Sequence, residues 1–430
     1  MMSRQQMDSK SHSMRILLLT DRYAPSVGGV ERQCNILARE FVRRGVSTFI
    51  VTDRYLRSLP SVDSDNGIPV YRIWSLSFLR SLPEKYVASF KARMSRSKGT
   101  AVIGIAKSDK RWRIKLLRGV YRIIFFKLPI VSFAVSSFFA LVRHRNEYDV
   151  IQVFQTHVLA YPAVVAGKIL GKPVVACEAF INGIDLLNDF PFRNHTKRML
   201  LHHCNFIALS STILNNLLVR GVPPEKITII QNPVRLVREN QGSMDSPLAV
   251  LFIGNVLNDP LQKGLDILLH AWQRVSETIP DAHLTIVGAG DFSGFIDLSN
   301  ELGVFQRVSF LGVRTDIASL LLSHNIFVLP SRYEGMSIAL LEAMAFGRAC
   351  VVTAVSGSDD LIESGVNGLK IEPQNVSALE NSLIFLLEHQ AEAREFGKKA
   401  QERVRICNSP EKISEEYLRC YANISVHPSD

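Results

Sequence analysis

Short apolar runs alternate along the chain with longer stretches of helical periodicity. The first two runs, at 14–20 and 46–52, are typical of buried strands, and the segment 30–44 between them has the pattern of a helix. The same pattern predicts further strands at 150–154, 173–177, 206–210 and 227–230. This strand–helix–strand order indicates a doubly wound parallel sheet.

A second series of strands follows a polar passage that contains Gly and Ser, from 235 to 247, which we interpret as a linker. Strands are predicted at 248–253, 283–287, 308–311, 326–329 and 349–353. Helical patterns end the chain at 376–389, 391–406 and 412–424. The pattern therefore predicts an α/β protein with two Rossmann-like halves that face each other across a ligand cleft.

Length and composition agree with two domains. The chain has 430 residues, 47% of them hydrophobic, which is too long for one typical core and too apolar for general disorder. The first thirteen residues are polar and lack the apolar core of a secretion signal, so we expect a disordered leader at 1–13. The six cysteines are scattered without metal-ligand spacing, which favours free thiols in a reducing cytosol.

The net charge of +10 is concentrated in one segment, because 85–127 holds thirteen Lys or Arg residues and a single acid, Asp109. Within it, 110–127 is amphipathic and carries aromatic side chains, which suits the surface of an anionic membrane. A solvated insertion on the first domain is an alternative interpretation. No recognised nucleic-acid module accompanies the charge, so nucleic acid is not expected as a partner. The apolar run 128–142 is too short to span a bilayer and is predicted to be a core helix.

Two carboxylates eight residues apart, Glu334 and Glu342, provide the strongest indication of function. Glu334 falls in the turn after the predicted strand 326–329, where open α/β sheets hold ligands. Glu342 lies within an otherwise apolar helix, where an unpaired charge would cost several kcal/mol. The backbone N–H groups of Gly335, Met336 and Ser337 would open this helix and offer a seat for phosphate. A solvated Glu334 and a structurally paired Glu342 are the alternative.

Several segments, in order, resemble glycosyltransferase family 4, the retaining nucleotide-sugar transferases of the GT-B fold. The resemblance covers about 14–387. The matching segments are Ala24-Pro25-Ser26-Val27-Gly28-Gly29-Val30-Glu31-Arg32, Gln231-Asn232-Pro233-Val234, Phe252-Ile253-Gly254-Asn255, Gln262-Lys263-Gly264, Ile286-Val287-Gly288-Ala289-Gly290-Asp291, the Glu334–Glu342 segment and Gly365-Val366-Asn367-Gly368-Leu369.

The resemblance implies an acceptor-side domain over 14–235 and a linker over 236–247. It further implies a nucleotide-sugar-binding domain over 248–410 and a final helix, 411–430, that crosses back to the first domain. The implied reaction transfers a sugar from a GDP- or UDP-linked donor to an acceptor hydroxyl with retention of configuration. The implied setting is lipid-linked or surface polysaccharide synthesis on the inner face of the cytoplasmic membrane.

Individual roles are also implied by the resemblance. Lys263 would contact the diphosphate, Glu334 the hydroxyls of the transferred sugar, and Glu342 the ribose. The remaining implied cleft or donor-contact positions are Gly28, Gly29, His157, Asn255, Gly312, Val313, Gly335, Met336 and Ser337. No cofactor and no metal are expected, because the family mechanism needs none and no clustered Asp/His ligand set is evident.

Three positions depart from the family pattern. Asn255 replaces a frequent Arg, so one cationic contact to the diphosphate is missing unless Arg332 or Arg314 supplies it. Asn232-Pro233 replaces the Asn-Gly before the linker. Asn182 stands near the position of a frequent His, and Asn cannot act as an acid or base near neutral pH. These departures leave a non-catalytic GT-B scaffold that binds nucleotide sugars as an alternative. A nucleotide-sugar epimerase or phosphorylase is a weaker one.

Overall fold

The computed structural model describes residues 14–26, 28–77, 128–154, 159–178, 193–237, 248–257 and 259–426. The basic segment 85–127, His157 and Asn182 lie outside these residues, so the predictions made for them are not addressed by the structure.

The first half of the described chain forms an eight-stranded sheet in the order β3-β4-β2-β1-β5-β6-β7-β8. Its strands are β1 (Arg15–Thr20), β2 (Ser47–Asp53), β3 (Val62–Asp65), β4 (Ile68–Ile73), β5 (Val150–Phe154), β6 (Val174–Glu178), β7 (Asn205–Ala208) and β8 (Ile227–Ile229). Neighbouring strands pair in parallel except for the antiparallel hairpin of β3 and β4. The central strands are almost fully buried, as expected for a parallel sheet covered on both faces.

Five helices belong to this half in the described residues: α1 (Gly29–Arg43), α2 (Leu128–Arg143), α3 (Ala160–Leu170), α4 (Arg193–His203) and α5 (Ser211–Val219). α1 is amphipathic and buries Cys34, Leu37 and Phe41 against the sheet.

The second half forms a six-stranded, fully parallel sheet in the order β11-β10-β9-β12-β13-β14. Its strands are β9 (Ala249–Ile253), β10 (His283–Val287), β11 (Val308–Gly312), β12 (Ile326–Leu329), β13 (Ala349–Thr353) and β14 (Leu369–Ile371). The helices are α6 (Leu265–Thr278), α7 (Ser293–Glu301), α8 (Ile317–Ser323), α9 (Ile338–Ala345), α10 (Ser356–Leu361), α11 (Val376–Glu388), α12 (Gln390–Cys407) and α13 (Pro410–Val426).

The last helix, α13, packs on the first half of the molecule. The amide nitrogen of Gln33 on α1 donates to the Tyr417 hydroxyl at 3.2 Å, and the Tyr421 hydroxyl donates to Gln152 on β5 at 2.8 Å. Both tyrosines are fully buried. The chain therefore passes from the first sheet to the second and returns.

Both sheets have the topological switch of doubly wound folds, since the strand order reverses between β1 and β5 and again between β9 and β12. Ligands of open α/β sheets bind beyond the carboxyl ends of the strands at such a reversal. The loop after β1 carries Gly28, and the loop after β12 carries Glu334. The topology thus places both predicted segments at the expected ligand positions.

The predicted fold class is confirmed, and most predicted strands and helices are present with ends that differ by one or two residues. Two features were missed. The β3–β4 hairpin begins with an exposed, acidic strand that has no apolar signature, and β14 is only three residues long.

The prediction of a core helix at 128–142 is correct for its helical conformation and for the burial of one face only. One face of α2 is buried through Phe133, Ala140 and Leu141, while four apolar residues on another face are exposed: Leu128, Val131, Val135 and Phe139. Among the described residues, no helix combines the length and apolarity that a transmembrane crossing requires.

Candidate active site

Glu334 lies just beyond β12 and is 94% buried. Its carboxylate contacts two polar side chains. The Lys263 ammonium lies 2.5 Å from Glu334 Oε1, and the Ser331 hydroxyl donates to the same oxygen at 2.7 Å. A buried carboxylate needs such partners because an unpaired charge there would be strongly destabilising. The ion pair therefore presents one fixed anion and one fixed cation at the sheet's switch point.

Lys263 is positioned by the glycine that follows it. Gly264 has φ +66°, and a Cβ at this position would lie 1.9 Å from the carbonyl oxygen of Pro330. Only glycine allows this turn to pack directly on the end of β12. The backbone N–H of Arg332 donates to the Gln262 carbonyl at 2.8 Å and joins the two loops a second time. The Lys263-Gly264 pair thus has a physical role that the motif alone did not reveal.

The start of α9 faces the same region. Ser337 caps the helix by accepting from the Leu340 N–H at 3.3 Å, and Gly335 precedes it in the turn. The first N–H groups of a helix have no partner within the helix and carry the positive end of its dipole. The side chain of Asn232 donates to the Met336 carbonyl at 3.2 Å, so the linker region holds this turn in place. The helix begins at Ile338 with Ser337 as its N-cap, so the N–H groups of Gly335 and Met336 belong to the preceding turn and do not open the helix as predicted. The positive end of the α9 dipole therefore directly follows the turn that carries Glu334.

Glu342 lies one turn further along α9 and contacts the first domain. Both of its carboxylate oxygens lie 2.5 Å from Nη1 of Arg32 on α1. Burial raises the pKa of Glu342, and the Arg32 guanidinium offsets part of that rise. The carboxylate that sequence reasoning placed inside an apolar helix is therefore paired across the domain boundary.

The glycine-rich loop after β1 approaches α9 from the other side of the cleft. A Cβ on Gly29 would lie 3.4 Å from the Ile338 side chain, and a Cβ on Gly28 would lie 2.3 Å from a carboxylate oxygen of Glu31. Glu31 also accepts from the Ser26 hydroxyl at 2.9 Å. Gly29 therefore lies in van der Waals range of the start of α9, while the lack of a side chain at Gly28 leaves room for the Glu31 carboxylate.

A cavity of about 480 Å³ adjoins this contact between the domains. Its walls combine polar and apolar groups, among them Tyr23, Arg32, Arg235, Ile317, Ile338 and Glu342. A cleft with apolar walls and a few fixed polar groups is the usual form of a small-molecule site.

The other predicted donor residues lie at the strand ends of the second sheet. Asn255 is exposed after β9, and its side-chain oxygen accepts from the Ala289 N–H at 2.8 Å. Gly312 ends β11 with φ +64°, and Val313 is exposed beside it. The parallel arrangement of β9, β11 and β12 places these loops at the same edge of the sheet as Glu334.

Neither arginine considered as a substitute for the missing cation at Asn255 is free. Arg332 forms a bidentate pair with Asp266 at 2.8 and 2.7 Å, and Arg314 forms one with Asp316 at 2.8 and 2.6 Å. The first pair joins the loop after β12 to α6, and the second lies within the loop before α8. We therefore do not assign a diphosphate contact to either guanidinium.

Sequence reasoning missed Arg32 and Ser331 as parts of the site. Ser331 precedes Glu334 by three residues, and this spacing within a turn could have indicated a hydrogen bond from the hydroxyl to the carboxylate. Arg32 lies in the glycine-rich segment that resembles the family, but nothing in the sequence indicated its partner, which is 310 residues away. Within the residues that the structure describes, no three His, Cys, Asp or Glu side chains form a group able to hold a metal ion.

Comparison with known proteins agrees with this architecture. The family model of group 1 glycosyl transferases matches residues 247–389, which include Lys263, Glu334 and Glu342. An uncharacterized glycosyltransferase of Methanocaldococcus jannaschii is 27% identical over 85% of this chain and 87% of its own length. The N-acetyl-alpha-D-glucosaminyl L-malate synthase of Bacillus anthracis is 25% identical over 70% of this chain and 81% of its own length.

Solved structures of the same fold superpose on nearly the whole chain. Anabaena HepE in complex with UDP has a TM-score of 0.66 at 16% identity and covers 95% of this chain and 100% of its own. Sucrose-phosphate synthase from Thermosynechococcus elongatus has a TM-score of 0.67 at 18% identity and covers 96% of this chain and 99% of its own. The two facing domains and the cleft thus define a GT-B fold. Residues 247–389 are similar to the group 1 glycosyl transferases, and this part of the chain carries Lys263, Glu334 and Glu342.

Proposed function

We propose that this glycosyltransferase moves a hexose from a UDP- or GDP-linked donor to an acceptor hydroxyl and retains the anomeric configuration. The observation that supports this most strongly is the position of Glu334 and Glu342 on either side of the start of α9, at the switch point of the second sheet. In this arrangement the diphosphate lies at the N-terminus of α9, the ribose hydroxyls bind Glu342, and the transferred sugar meets Glu334.

Departure of the nucleotide breaks the bond between the sugar and the distal phosphate, and one further negative charge develops on that phosphate oxygen. We propose that Lys263 and the N–H groups at 335–337 stabilise that charge, and the ion pair with Glu334 holds the lysine in place before substrate binds. Electrostatic groups fixed in advance stabilise a transition state without a reorganisation cost. We therefore propose that leaving-group stabilisation comes from the protein itself, with no metal or cofactor.

Retention is proposed to follow from attack on the same face of the sugar from which the nucleotide leaves. Glu334 is engaged by Lys263 and Ser331, which suits a residue that orients sugar hydroxyls better than a free nucleophile. We therefore assign no covalent intermediate to it.

The acceptor is proposed to be a lipid-linked or glycan hydroxyl that the first domain presents at an anionic membrane on the cytoplasmic side. The UDP-Gal:alpha-D-GlcNAc-diphosphoundecaprenol alpha-1,3-galactosyltransferase of Escherichia coli is 33% identical over 25% of this chain and 28% of its own length. The exposed apolar face of α2 directly follows the basic segment 85–127 in the chain. Apolar and basic groups together favour insertion into an anionic interface.

The test has two parts. A panel of UDP- and GDP-sugars is screened for thermal stabilisation, since a ligand that binds the native state raises its apparent stability. The sugar that stabilises most is then supplied with a lipid-linked acceptor, and the anomeric configuration of the product is read by NMR. We expect one nucleotide class to stabilise the protein and the product to keep the donor's configuration. Stabilisation by no nucleotide sugar, or an inverted product, would contradict the proposal.

A further inference from the structure

The proposed donor geometry does not explain the contact between Arg32 and Glu342. Its Nη1 lies 2.5 Å from both carboxylate oxygens, and the side chains of Arg32 and Glu342 are 32% and 22% exposed. A ribose presents two adjacent hydroxyls, and each would donate to one oxygen of a carboxylate. In the described structure a single nitrogen already lies between those two oxygens.

We propose that Arg32 competes with the donor's ribose for Glu342 and gives it up when the nucleotide binds. This inference rests on the proposed function, because it takes Glu342 to be the ribose carboxylate. Arg32 is then a positioning residue. In the protein without nucleotide, it orients the Glu342 carboxylate toward the cleft and neutralises its charge until the ribose binds.

The lining of the same cavity contains a second acid. Glu31, the preceding residue on α1, lines the cavity together with Arg32. Burial raises the pKa of Glu31, although the Ser26 hydroxyl donates to it and offsets part of that rise. A nearby cation lowers the cost of keeping such a carboxylate ionised. After its release from Glu342, the Arg32 guanidinium would remain in a cavity whose lining includes a second carboxylate.

The exchange also links donor binding to the contact between the domains. Arg32 lies on α1 of the first domain and Glu342 on α9 of the second, so the ion pair is one of the ties across the cleft. Other ties do not involve the donor position: Ser210 and Ser356 share a hydrogen bond of 2.9 Å, and Asp360 accepts from Ser211. Binding of a nucleotide would thus release the tie at the site and leave the others intact.

The experiment measures the dissociation constants of UDP and GDP by calorimetry for wild type, Arg32→Gln, Glu342→Gln and the double variant. Arg32→Gln is expected to bind the preferred nucleotide about two- to fivefold more tightly, which corresponds to the strength of a partly exposed ion pair. The melting temperature of the empty protein is expected to fall at the same time. In the Glu342→Gln background, the Arg32 substitution is expected to have no effect on affinity.

Arg43→Gln is the matched control, because it removes the same charge from the same helix at a position whose main partner is Glu40. Its nucleotide affinity is expected to equal that of wild type. Arg32→Lys provides a second variant with a milder perturbation and should fall between wild type and Arg32→Gln. A purely structural role of Arg32 would lower the melting temperature without tightening binding.

The outcomes separate this inference from the proposed function. Unchanged or weaker nucleotide binding in Arg32→Gln, together with weaker binding in Glu342→Gln, would overturn the competition alone. Wild-type affinity in Glu342→Gln would overturn the ribose assignment on which the inference rests. A donor KM that falls in Arg32→Gln would support the competition independently of calorimetry.

Discussion

Lys263 and Glu334 form an ion pair of 2.5 Å between loops that are 71 residues apart in the chain. The pair closes the carboxyl ends of the two strands between which the order of the second sheet reverses. It is both a structural tie and, in our proposal, the charged centre of the donor site. The two roles make separable predictions.

Replacement of Lys263 by Met should remove transfer and also destabilise the protein. The substitution leaves the Glu334 carboxylate buried without its cation, which typically costs about 3–5 kcal/mol. The double variant Lys263→Met, Glu334→Gln should recover much of that stability while transfer stays lost. Urea unfolding and a transfer assay measure the two effects, and a fully active single variant would contradict the assignment of Lys263.

Replacement of Gly264 by Ala tests whether the turn positions Lys263. The new Cβ would collide with the Pro330 carbonyl, in addition to the strain of φ +66°. Gly303→Ala is the matched control, because Gly303 has φ +72° and nothing within 4 Å of its Cβ position. We expect Gly264→Ala to lose about 1–3 kcal/mol more than the control, as overpacking commonly does. Equal losses in urea unfolding would show that the contact with Pro330 is unimportant.

Most strands were predictable because they are local apolar runs, whereas the exposed, acidic β3 was not. The two acids were recognisable because Glu334 follows such a strand and Glu342 interrupts an apolar helix. The charge of Glu342 within an apolar helix also implied a partner, but the sequence did not identify that partner. Arg32 is far away in the chain, and only the packing of α1 against α9 brings them together. The contact of Gly264 with Pro330 and the exposed face of α2 likewise depend on tertiary packing, which local periodicity does not encode.

Stability should depend on pH in opposite senses for Glu342 and Asp149. Burial raises the pKa of Glu342 above its usual 4.5, so its contribution to the free energy of unfolding is present below pH 4.5 and is lost as pH rises through the raised pKa. A hydrogen bond from Arg15 lowers the pKa of Asp149 below 3.8, so its contribution is present above pH 3.8 and is lost as pH falls through the lowered pKa.

Urea unfolding of Glu342→Gln and Asp149→Asn, each compared with wild type across this pH range, measures both trends. We expect wild type to lose stability relative to Glu342→Gln as pH rises above 4.5. We expect its advantage over Asp149→Asn to shrink as pH falls below 3.8. Trends of the same sign in the two variants would contradict the environments described for these acids.

Membrane association should depend on the exposed apolar face of α2. Phe139 is 64% exposed there, and Phe139→Asp should weaken binding to vesicles that contain phosphatidylglycerol by about tenfold, the effect of losing one large inserted side chain. Val219→Asp is the control, because Val219 is 86% exposed at the end of α5 in the same domain. Sedimentation with vesicles measures the difference. Equal binding by both variants would remove α2 from the membrane contact.

The most direct measurement of the central claim is a crystal structure of the protein with the UDP or GDP that stabilises it. We predict that the diphosphate lies on the N–H groups of Gly335, Met336 and Ser337, within reach of Lys263, and that both ribose hydroxyls contact Glu342. A nucleotide bound in the cleft with its ribose away from Glu342, or bound outside the cleft, would contradict the account.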